Sequence, residues 1–334
     1  MQQKRDSFEQ MHDSIEGTNI QPSPNNSSAS IVATQLTDGT DMSWQGKAAG
    51  QYHQTIASKI PAYSVLYELS GRLLEAGMDT RESWTHPPSI DQGIPIHTTS
   101  QQQARKIAVI GAGGGQEMVT WASRYENWQC IGVDTSARML ETARQRIEQA
   151  GVAHRCQLYQ GSLNDLPYDN PSMETIIPAY TENPKPSVGT FCPSFNPNWN
   201  QSSSDASLYD AASCILVLHF LPSEQEQQEM LNKLAASVKP GAPVVIACLS
   251  NMPKEGENNW RMQAWHEHMQ DHHIPEEDWH RFVDSIGVTS YPPNVQQIER
   301  MLSYAGLVEV DSYFQTLFIR AWCGRRAWEG EQPT

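Results

Sequence analysis

The sequence has few basic residues and no long apolar run. Lys and Arg number 23 against 38 Asp and Glu, and the resulting net charge of −15 repels the phosphate backbone of nucleic acids. No segment reaches the roughly 18 consecutive apolar residues of a membrane span. The polar stretch from Met1 to Ile20 holds no apolar run of signal-peptide length. We therefore expect a cytoplasmic protein that binds neither nucleic acid nor a membrane.

The sequence also lacks any C-x-x-C motif. Its six cysteines are scattered, and four of them fall inside apolar runs that are typical of strands. We expect free core thiols in a reducing compartment. The cysteines are Cys130, Cys156, Cys192, Cys214, Cys248 and Cys323.

Apolar residues make up 38% of the chain, and the deficit lies mainly in two polar stretches. Residues 1–43 are rich in Gln, Ser, Asn and Pro, which predicts a disordered tail. Residues 44–103 are predicted to be an N-terminal helical cap and linker, with two helices separated at Pro61 and a linker that begins at 77. Residues 104–328 then form the main domain.

The main domain alternates predicted strands and helices. The predicted strands are Lys106–Ile110, Cys130–Val133, Cys156–Tyr159, Ala212–Leu218, Val244–Leu249, Leu307–Phe314 and Thr316–Cys323. The predicted helices are Gln116–Arg124, a helix capped by Ser136, Ser223–Ser237, Trp260–Ser285 and Val295–Tyr304. Near-continuous apolar strands separated by helices indicate a doubly wound α/β fold with a parallel sheet. The last two strands are joined too tightly for a crossover helix, so they must be antiparallel.

Two segments depart from this alternation. Residues 168–207 are rich in proline and serine, which predicts an inserted loop between the third and fourth strands. Residues 251–294 are predicted to form a cap segment together with the N-terminal helices.

A glycine-rich turn follows the first strand. In Gly111-Ala112-Gly113-Gly114-Gly115 the backbone can turn sharply, and a ligand can lie against bare peptide N–H groups. Asp134 ends the second strand nineteen positions after Gly115 and can accept hydrogen bonds from both ribose hydroxyls of an adenosine. A dinucleotide fingerprint would need glycine at position 116, where the chain has Gln116. This difference and the closing antiparallel strands favour S-adenosylmethionine over NAD.

Over residues 104–323 the chain resembles the class I S-adenosylmethionine-dependent methyltransferases. The resemblance rests on the glycine turn, Asp134, Gly161-Ser162-Leu163, the fourth strand with Leu218-His219-Phe220, and Lys239-Pro240-Gly241. It implies a Rossmann-like seven-strand sheet with its last strand antiparallel, and a cofactor at the carboxyl ends of the first, second and fourth strands. The implied cofactor-binding residues are Tyr63, Gly111, Ala112, Gly113, Gly115, Asp134, Thr135, Ser162, Leu163 and Ile215.

The flanking segments are similar to the carboxy-S-adenosylmethionine synthases and their methyltransferase relatives. Tyr63, in Ile60-Pro-Ala-Tyr63, matches a tyrosine that holds the amino-acid end of the cofactor in that group. Arg281 matches, across a gap, an arginine that binds the additional carboxylate. Ser162 replaces the acid that commonly reaches adenine, although its hydroxyl and the Leu163 N–H can still bind the ring. Ile215 replaces the asparagine of the synthases, which makes ordinary methylation the favoured activity.

Methyl transfer from a sulfonium needs mainly positioning, with a base only when the acceptor must lose a proton. His219 is the first candidate for an acceptor-facing base, against the alternative of a buried histidine bonded to backbone; His266 is the second. Trp265 and Arg281 are the candidates for substrate binding, with core packing as the alternative for the tryptophan. His268 and His272 have the i, i+4 spacing of a metal pair, but a solvated histidine-rich helix is the favoured interpretation and we predict no metal.

The sequence thus predicts S-adenosylmethionine-dependent methyl transfer to a small-molecule acceptor in specialised metabolism. Two alternatives remain open, a carboxy-S-adenosylmethionine synthase-like enzyme and a non-catalytic subunit that binds the cofactor. No sequence motif identifies the acceptor atom or the oligomeric state. We include a homodimer among the expected assemblies.

Overall fold

The computed structural model describes residues 55–83, 104–166, 208–253 and 259–331. The predicted tail 1–43, the insertion 168–207 and Cys192 lie outside the described residues, as does part of the predicted linker. The five cysteines within the described ranges are free thiols. None of the helices in these ranges combines the length and the apolar character needed to cross a bilayer.

Seven strands form one sheet in the order β3-β2-β1-β4-β5-β7-β6. The strands are β1 Arg105–Ile110, β2 Trp128–Asp134, β3 Cys156–Gln160, β4 Ala211–Ile215, β5 Pro243–Leu249, β6 Leu307–Thr316 and β7 Ile319–Arg326. Strands β1 to β5 pair in parallel, while β7 is antiparallel to both β5 and β6. The predicted α/β sheet with its last strand antiparallel is confirmed.

Helices cover both faces of this sheet. They are α1 Tyr63–Ser83, α2 Gln116–Arg124, α3 Ala137–Gln149, α4 Glu224–Ser237, α5 Trp260–Asp271, α6 Glu276–Ser285 and α7 Val295–Tyr304. In β1, Ile107 and Val109 pack with α1, α2 and α3, whereas Ala108 and Ile110 pack with α4 and α7. Alternate side chains of a buried strand face opposite layers, so this arrangement is the doubly wound architecture.

Helix α1 packs directly on the sheet and is longer than the sequence predicted. The Trp121 indole N–H donates to the Tyr67 carbonyl at 2.8 Å, and Arg105 forms ion pairs with Glu75 and Asp79. The predicted linker start at 77 is therefore corrected, because the helix continues to Ser83. Glycine at 77 lets α1 approach β5: a Cβ there would lie 2.6 Å from Pro243.

The predicted helix Trp260–Ser285 is two helices. The chain reverses after α5, where His273 has a φ of +56°, and Pro275 then caps α6. Proline lacks the N–H that a continuous helix would need, so the break has a local cause.

The predicted fourth strand also ends early. Leu216 has a φ of +60°, which takes the chain out of the sheet after Ile215 and into a 3-10 turn over Leu218–Phe220. Non-glycine residues rarely adopt this left-handed conformation, so the packing around Leu216 must hold it.

A third apolar cluster joins the chain before α1 to the segment after β5. Residues 55–59 are helical, and Ile56 and Ile60 pack with Trp265, Met269 and Phe318. The N-terminal residues and α5 are thus in contact, although they are about 200 positions apart in the sequence.

Candidate functional site

A cavity of about 400 Å³ opens at the carboxyl ends of β1, β2 and β4. Strand β1 is hydrogen-bonded to β2 on one side and to β4 on the other, so the strand order reverses here. Ligands of open α/β sheets bind at such a switch point. The described lining includes nine of the ten cofactor residues predicted from the sequence: Tyr63, Gly111, Ala112, Gly113, Asp134, Thr135, Ser162, Leu163 and Ile215.

The glycine turn faces the cavity, but most of its N–H groups are already used. Gly111 and Ala112 both donate to the Val133 carbonyl, at 2.8 and 2.9 Å. Gly113 donates to Asp134 Oδ2 at 2.9 Å, and Gly115 donates to the Ala112 carbonyl at 2.8 Å. Within the turn, only Gly114 has an N–H that makes no hydrogen bond with a described residue. The expected row of bare N–H groups is therefore corrected to a single one.

Gly115 lies behind the turn and is absent from the described lining. It precedes α2 with a φ of +76°, and a Cβ there would lie 3.0 Å from Ala143 in α3. This glycine lets two helices approach closely, whereas Gly114 takes the place at the cavity that we predicted for Gly115.

Asp134 ties the glycine turn to β2. Its Oδ2 accepts from Gly113, and its Oδ1 accepts from the Ser136 N–H at 2.8 Å. Each carboxylate oxygen has two lone pairs, so both can accept a further hydrogen bond from a ribose hydroxyl. Burial raises the pKa of Asp134, while the two backbone N–H groups lower it.

The Ser162–Leu163 turn borders the cavity beside β3. Ser162 caps a short 3-10 turn, and its hydroxyl donates to Asp165 Oδ2 at 3.0 Å and accepts from Asn164. The hydroxyl thus has one lone pair left for a ligand. The Leu163 N–H makes no hydrogen bond with a described residue and remains available to a heteroaromatic ring.

The end of β4 gives the cavity an apolar wall. Ile215 is buried, and the left-handed turn at Leu216 directs the chain along the cavity edge. The other members of this wall were not among the predicted site residues, since two of them were assigned to the fourth strand, one to the following helix and two to the link between these elements. They are Leu216, Val217, Phe220, Leu221 and Met230.

Tyr63 and Tyr67 enter the cavity from the first turns of α1. The Tyr67 hydroxyl donates to the Tyr63 hydroxyl at 3.2 Å, and the two rings meet edge to face. Burial raises the pKa of Tyr63 to about 12, so its phenol is neutral.

Glu117 is an acidic residue of the cavity lining that was not among the site residues predicted from the sequence. It lines the cavity from the first turn of α2, its residue is 3% exposed, and its Oε1 has no hydrogen-bond partner. Burial raises the pKa of this carboxyl well above its ordinary value, and the nearby Asp134 raises it further. An acid on the buried face of a helix, directly after the glycine turn, was the available signal.

His219 lies outside the described lining of the cavity. Its side chain is buried, and Nδ1 accepts from the Leu249 N–H at 3.4 Å at the end of β5. Burial lowers the pKa of His219 to about 3, so the imidazole is neutral. This arrangement agrees with the alternative interpretation given above for His219, a buried histidine that is hydrogen-bonded to the backbone.

Three further candidates lie on the α5–α6 segment and are also absent from the described lining. Trp265 is buried and donates from Nε1 to the Lys59 carbonyl at 2.7 Å, as core packing requires. His266 is partly exposed, stacks on Trp279 and pairs with Glu276 at 2.8 Å. Arg281 pairs with Asp278, and 45% of its side chain is exposed.

His268 on α5 and His272 just after it lie close together, but no third ligand joins them among the described residues. The His268 and His272 rings lie 4.2 Å apart, and His272 Nδ1 donates to the His268 carbonyl. Across the described ranges, no group of three or more His, Cys, Asp or Glu side chains could hold a metal ion.

Residues 107–188 match the family model described as a methyltransferase domain. A stretch of 90 residues is 29% identical to the uncharacterized methyltransferase YcgJ of Bacillus subtilis, covering 27% of this chain and 34% of that protein. A stretch of 76 residues is 34% identical to the rRNA N(6)-adenosine-methyltransferase metl-5 of Caenorhabditis elegans, covering 23% of this chain and 36% of that protein. The chain spans about a third of the length of these curated relatives.

Solved structures of methyltransferases are similar at low identity. An O-methyltransferase family protein from Burkholderia thailandensis is 14% identical with a TM-score of 0.44, covering 86% of this chain and 64% of that chain. An O-methyltransferase family 2 protein from Planctomyces limnophilus, in complex with apigenin, is 14% identical with a TM-score of 0.42, covering 78% and 62%. Similarity at this level does not identify an acceptor.

The cavity residues fit the cofactor of this family. A carboxylate at the end of β2 suits ribose, a free N–H beside an apolar wall suits adenine, and a buried carboxyl with one unpaired oxygen suits a cationic end. Residues 107–188 are therefore similar to a methyltransferase domain in sequence, and they contain the glycine turn, Asp134 and Leu163 of the cavity.

Proposed function

We propose that this protein transfers a methyl group from S-adenosylmethionine to a small-molecule acceptor in specialised metabolism. One observation carries the proposal: the glycine turn, Asp134 and the Leu163 N–H border a single cavity, within a segment that matches a methyltransferase domain. Along the sheet edge, Leu163 follows β3, Asp134 ends β2 and the glycine turn follows β1. This order corresponds to the adenine, the ribose and the amino-acid end of the cofactor.

The chain's own residues act by positioning. The bound sulfonium would supply an activated methyl group to a lone pair of the acceptor. Asp134 would hold the ribose, Leu163 the adenine, and the wall from Leu216 to Leu221 would exclude water. His219 lies away from the described lining, so an acceptor that needs no protein base, or that loses its proton to solvent, suits this site best.

The net charge of −15 supports a small acceptor. One curated relative is named an rRNA methyltransferase, but it matches only 23% of this chain. A phosphate-rich acceptor would meet unfavourable electrostatics over most of the surface. The cytoplasmic location and the homodimer remain predictions. Light scattering of the purified protein would measure its oligomeric state.

A carboxylated cofactor is the alternative that the structure supports less. Arg281 would have to face the cofactor, yet it pairs with Asp278 with almost half of its side chain exposed. Ile215 lines the cavity with an apolar side chain where the synthases have asparagine. Mass spectrometry of any ligand that copurifies distinguishes the two cofactors by mass.

Calorimetric titration of the full chain with S-adenosylmethionine and S-adenosylhomocysteine tests the proposal. We expect both to bind, and Asp134→Asn to weaken binding about 30-fold because a charged hydrogen-bond acceptor is lost. Asp284→Asn, at an exposed position on α6, is the matched control and should bind like the wild type. No heat with either nucleoside would contradict the proposal, and binding without methylation across acceptor panels would favour a non-catalytic subunit.

A further inference from the structure

Glu117 stands out among the groups that the proposed positioning mechanism does not use. Its carboxylate lines the cavity, is almost fully buried and leaves Oε1 without a hydrogen-bond partner. Leaving a buried acceptor unpaired is costly, and most buried polar side chains in native proteins are paired. Glu117 lies in the first turn of α2, two positions after the glycine turn, and is one of the buried residues of that helix.

The described lining of the cavity holds two carboxylates and no Lys, Arg or His side chain. Arg146 contacts the glycine turn from α3, where its guanidinium donates to the Gly114 carbonyl at 2.7 Å and to Gln116 Oε1 at 2.5 Å. The titratable group that acts on Glu117 is the second acid of the cavity, which raises its pKa. That acid is Asp134, while Glu117 itself raises the pKa of four neighbouring phenols and thiols, Tyr63, Tyr313, Cys130 and Cys214.

The described lining of this cavity therefore offers two carboxyl groups and no cationic side chain to pair with them. A ligand that brings a cationic group beside the glycine turn would offset the cost of the buried carboxylate. Asp134 marks the ribose end, and Glu117 acts electrostatically on both Asp134 and Tyr63 in the same lining. Tyr63 is the residue that would hold the amino-acid end of the cofactor under the proposed function.

We infer that Glu117 is the counter-ion of the α-ammonium group of S-adenosylmethionine and sets the selectivity of the site for nucleosides that carry this amino group. The inference rests on the proposed function. It makes Glu117 a binding residue that recognises the amino-acid end, together with Tyr63 and Gly114 of the same lining.

The raised pKa of Glu117 adds a consequence for binding. Without ligand the carboxyl favours its neutral form, because burial disfavours the charge. An ammonium group favours the ionised form, so binding should release a proton at any pH below the pKa of the unliganded carboxyl. Affinity should then rise with pH up to the pKa of the unliganded carboxyl.

Calorimetry with two ligands separates this role from a structural one. 5′-Methylthioadenosine keeps the adenosine and the sulfur of the cofactor but lacks the amino acid. We expect Glu117→Gln to weaken S-adenosylmethionine binding about 30-fold, as loss of one partner of a buried charge pair does, and to leave methylthioadenosine binding unchanged. Glu126→Gln, exposed just after α2, is the control and should change neither affinity.

Equal weakening of both ligands, or unchanged S-adenosylmethionine affinity, would overturn the inference. Wild-type protein that binds neither ligand would instead contradict the proposed function. If Glu117→Gln does not fold, titrating the wild type in two buffers of different ionisation enthalpy gives the answer. Proton release with S-adenosylmethionine but not with methylthioadenosine supports the ammonium contact, and equal release with both overturns it.

Discussion

His219 and Glu117 are buried ionisable residues whose neutral forms are favoured for the same reason, the loss of hydration. For Glu117, a ligand cation can reverse that preference, because the carboxylate faces the cavity. For His219 the imidazole faces the Leu249 backbone, so the preference is a property of the folded protein itself. Two residues with similar burial therefore differ in what they contribute, one to binding and one to stability.

The His219 arrangement predicts a pH dependence of stability. The folded-state pKa of about 3 lies below the ordinary value of 6.5, so the unfolded chain binds a proton that the folded chain does not. The free energy of unfolding should therefore fall as the pH drops from 6.5 towards 3, by about 1.4 kcal/mol per pH unit from this residue.

Urea unfolding of the wild type and of His219→Gln at neutral and mildly acidic pH measures this contribution. The variant should show the shallower dependence, while its affinity for S-adenosylmethionine stays close to that of the wild type. Identical pH slopes in the two proteins would show that the imidazole is not held neutral.

At the scale of the elements, the contacts between helices decide what each glycine does. Gly114 faces the cavity and Gly115 faces α3, although the two residues are adjacent. Helix α2 starts immediately after them, and its buried face presents both Glu117 to the cavity and Trp121 to α1. One short helix thereby connects the site to the N-terminal part of the described chain.

Gly115→Ala should destabilise the protein through the α2–α3 contact. The new Cβ would lie 3.0 Å from Ala143 at a φ of +76°, so steric overlap adds to backbone strain. Gly151→Ala is the matched control, since Gly151 has a φ of +73° and no atom within 4 Å of its Cβ position.

We expect the control to lose about 1 kcal/mol of unfolding free energy from the left-handed conformation alone. Gly115→Ala should lose about 1–3 kcal/mol more, from overpacking. Urea unfolding of both variants at one pH compares them, and equal losses would mean that α3 yields to the methyl group without cost.

The contacts of Trp265 join the segment after β5 to the chain before α1, and a substitution there tests how much they stabilise both segments. Trp265→Leu removes the hydrogen bond to the Lys59 carbonyl and part of a buried aromatic contact with Phe318. We expect a loss of about 2–4 kcal/mol in protection against amide hydrogen exchange, confined to residues 55–60 and α5.

The control is Trp260→Leu, because Trp260 is 76% exposed and buries little surface. It should leave the exchange pattern unchanged. Loss of protection that spreads through β1 to β5 in Trp265→Leu would show that this cluster is part of the central core.

At the scale of the whole molecule, the excess of acidic residues sets the long-range field. The charge of −15 acts on any partner before contact, and it opposes polyanions while favouring cations. The cavity is acidic as well, because its described lining contains the carboxyl groups of Glu117 and Asp134 and no basic side chain. Surface and site therefore agree in favouring a cofactor that carries positive charge.

This field predicts weak binding to RNA. Fluorescence anisotropy with a labelled ribosomal RNA fragment should give a dissociation constant no tighter than about 100 µM at physiological salt, the weak end of non-specific binding. Submicromolar binding that weakens steeply with added salt would reveal a local basic surface and would favour a nucleic-acid acceptor over a small molecule.

The sequence by itself determined the order of strands and helices, because each is encoded by local features. Ser136 caps α3 as predicted, the periodic apolar face of that helix is buried, and the tight link between the last two strands fixes their antiparallel pairing. The glycine turn and Asp134 were found in the same way, since both stand at the ends of readable strands.

Only the tertiary structure decided which of these side chains meet at one place. The selection of Gly114 over Gly115, the inward position of Glu117 and the outward positions of His266 and Arg281 depend on neighbours that are distant in the sequence. The burial of His219 against β5 has the same origin. A sequence pattern specifies the face of an element that is apolar, but the partner that covers that face is set by how the whole chain packs.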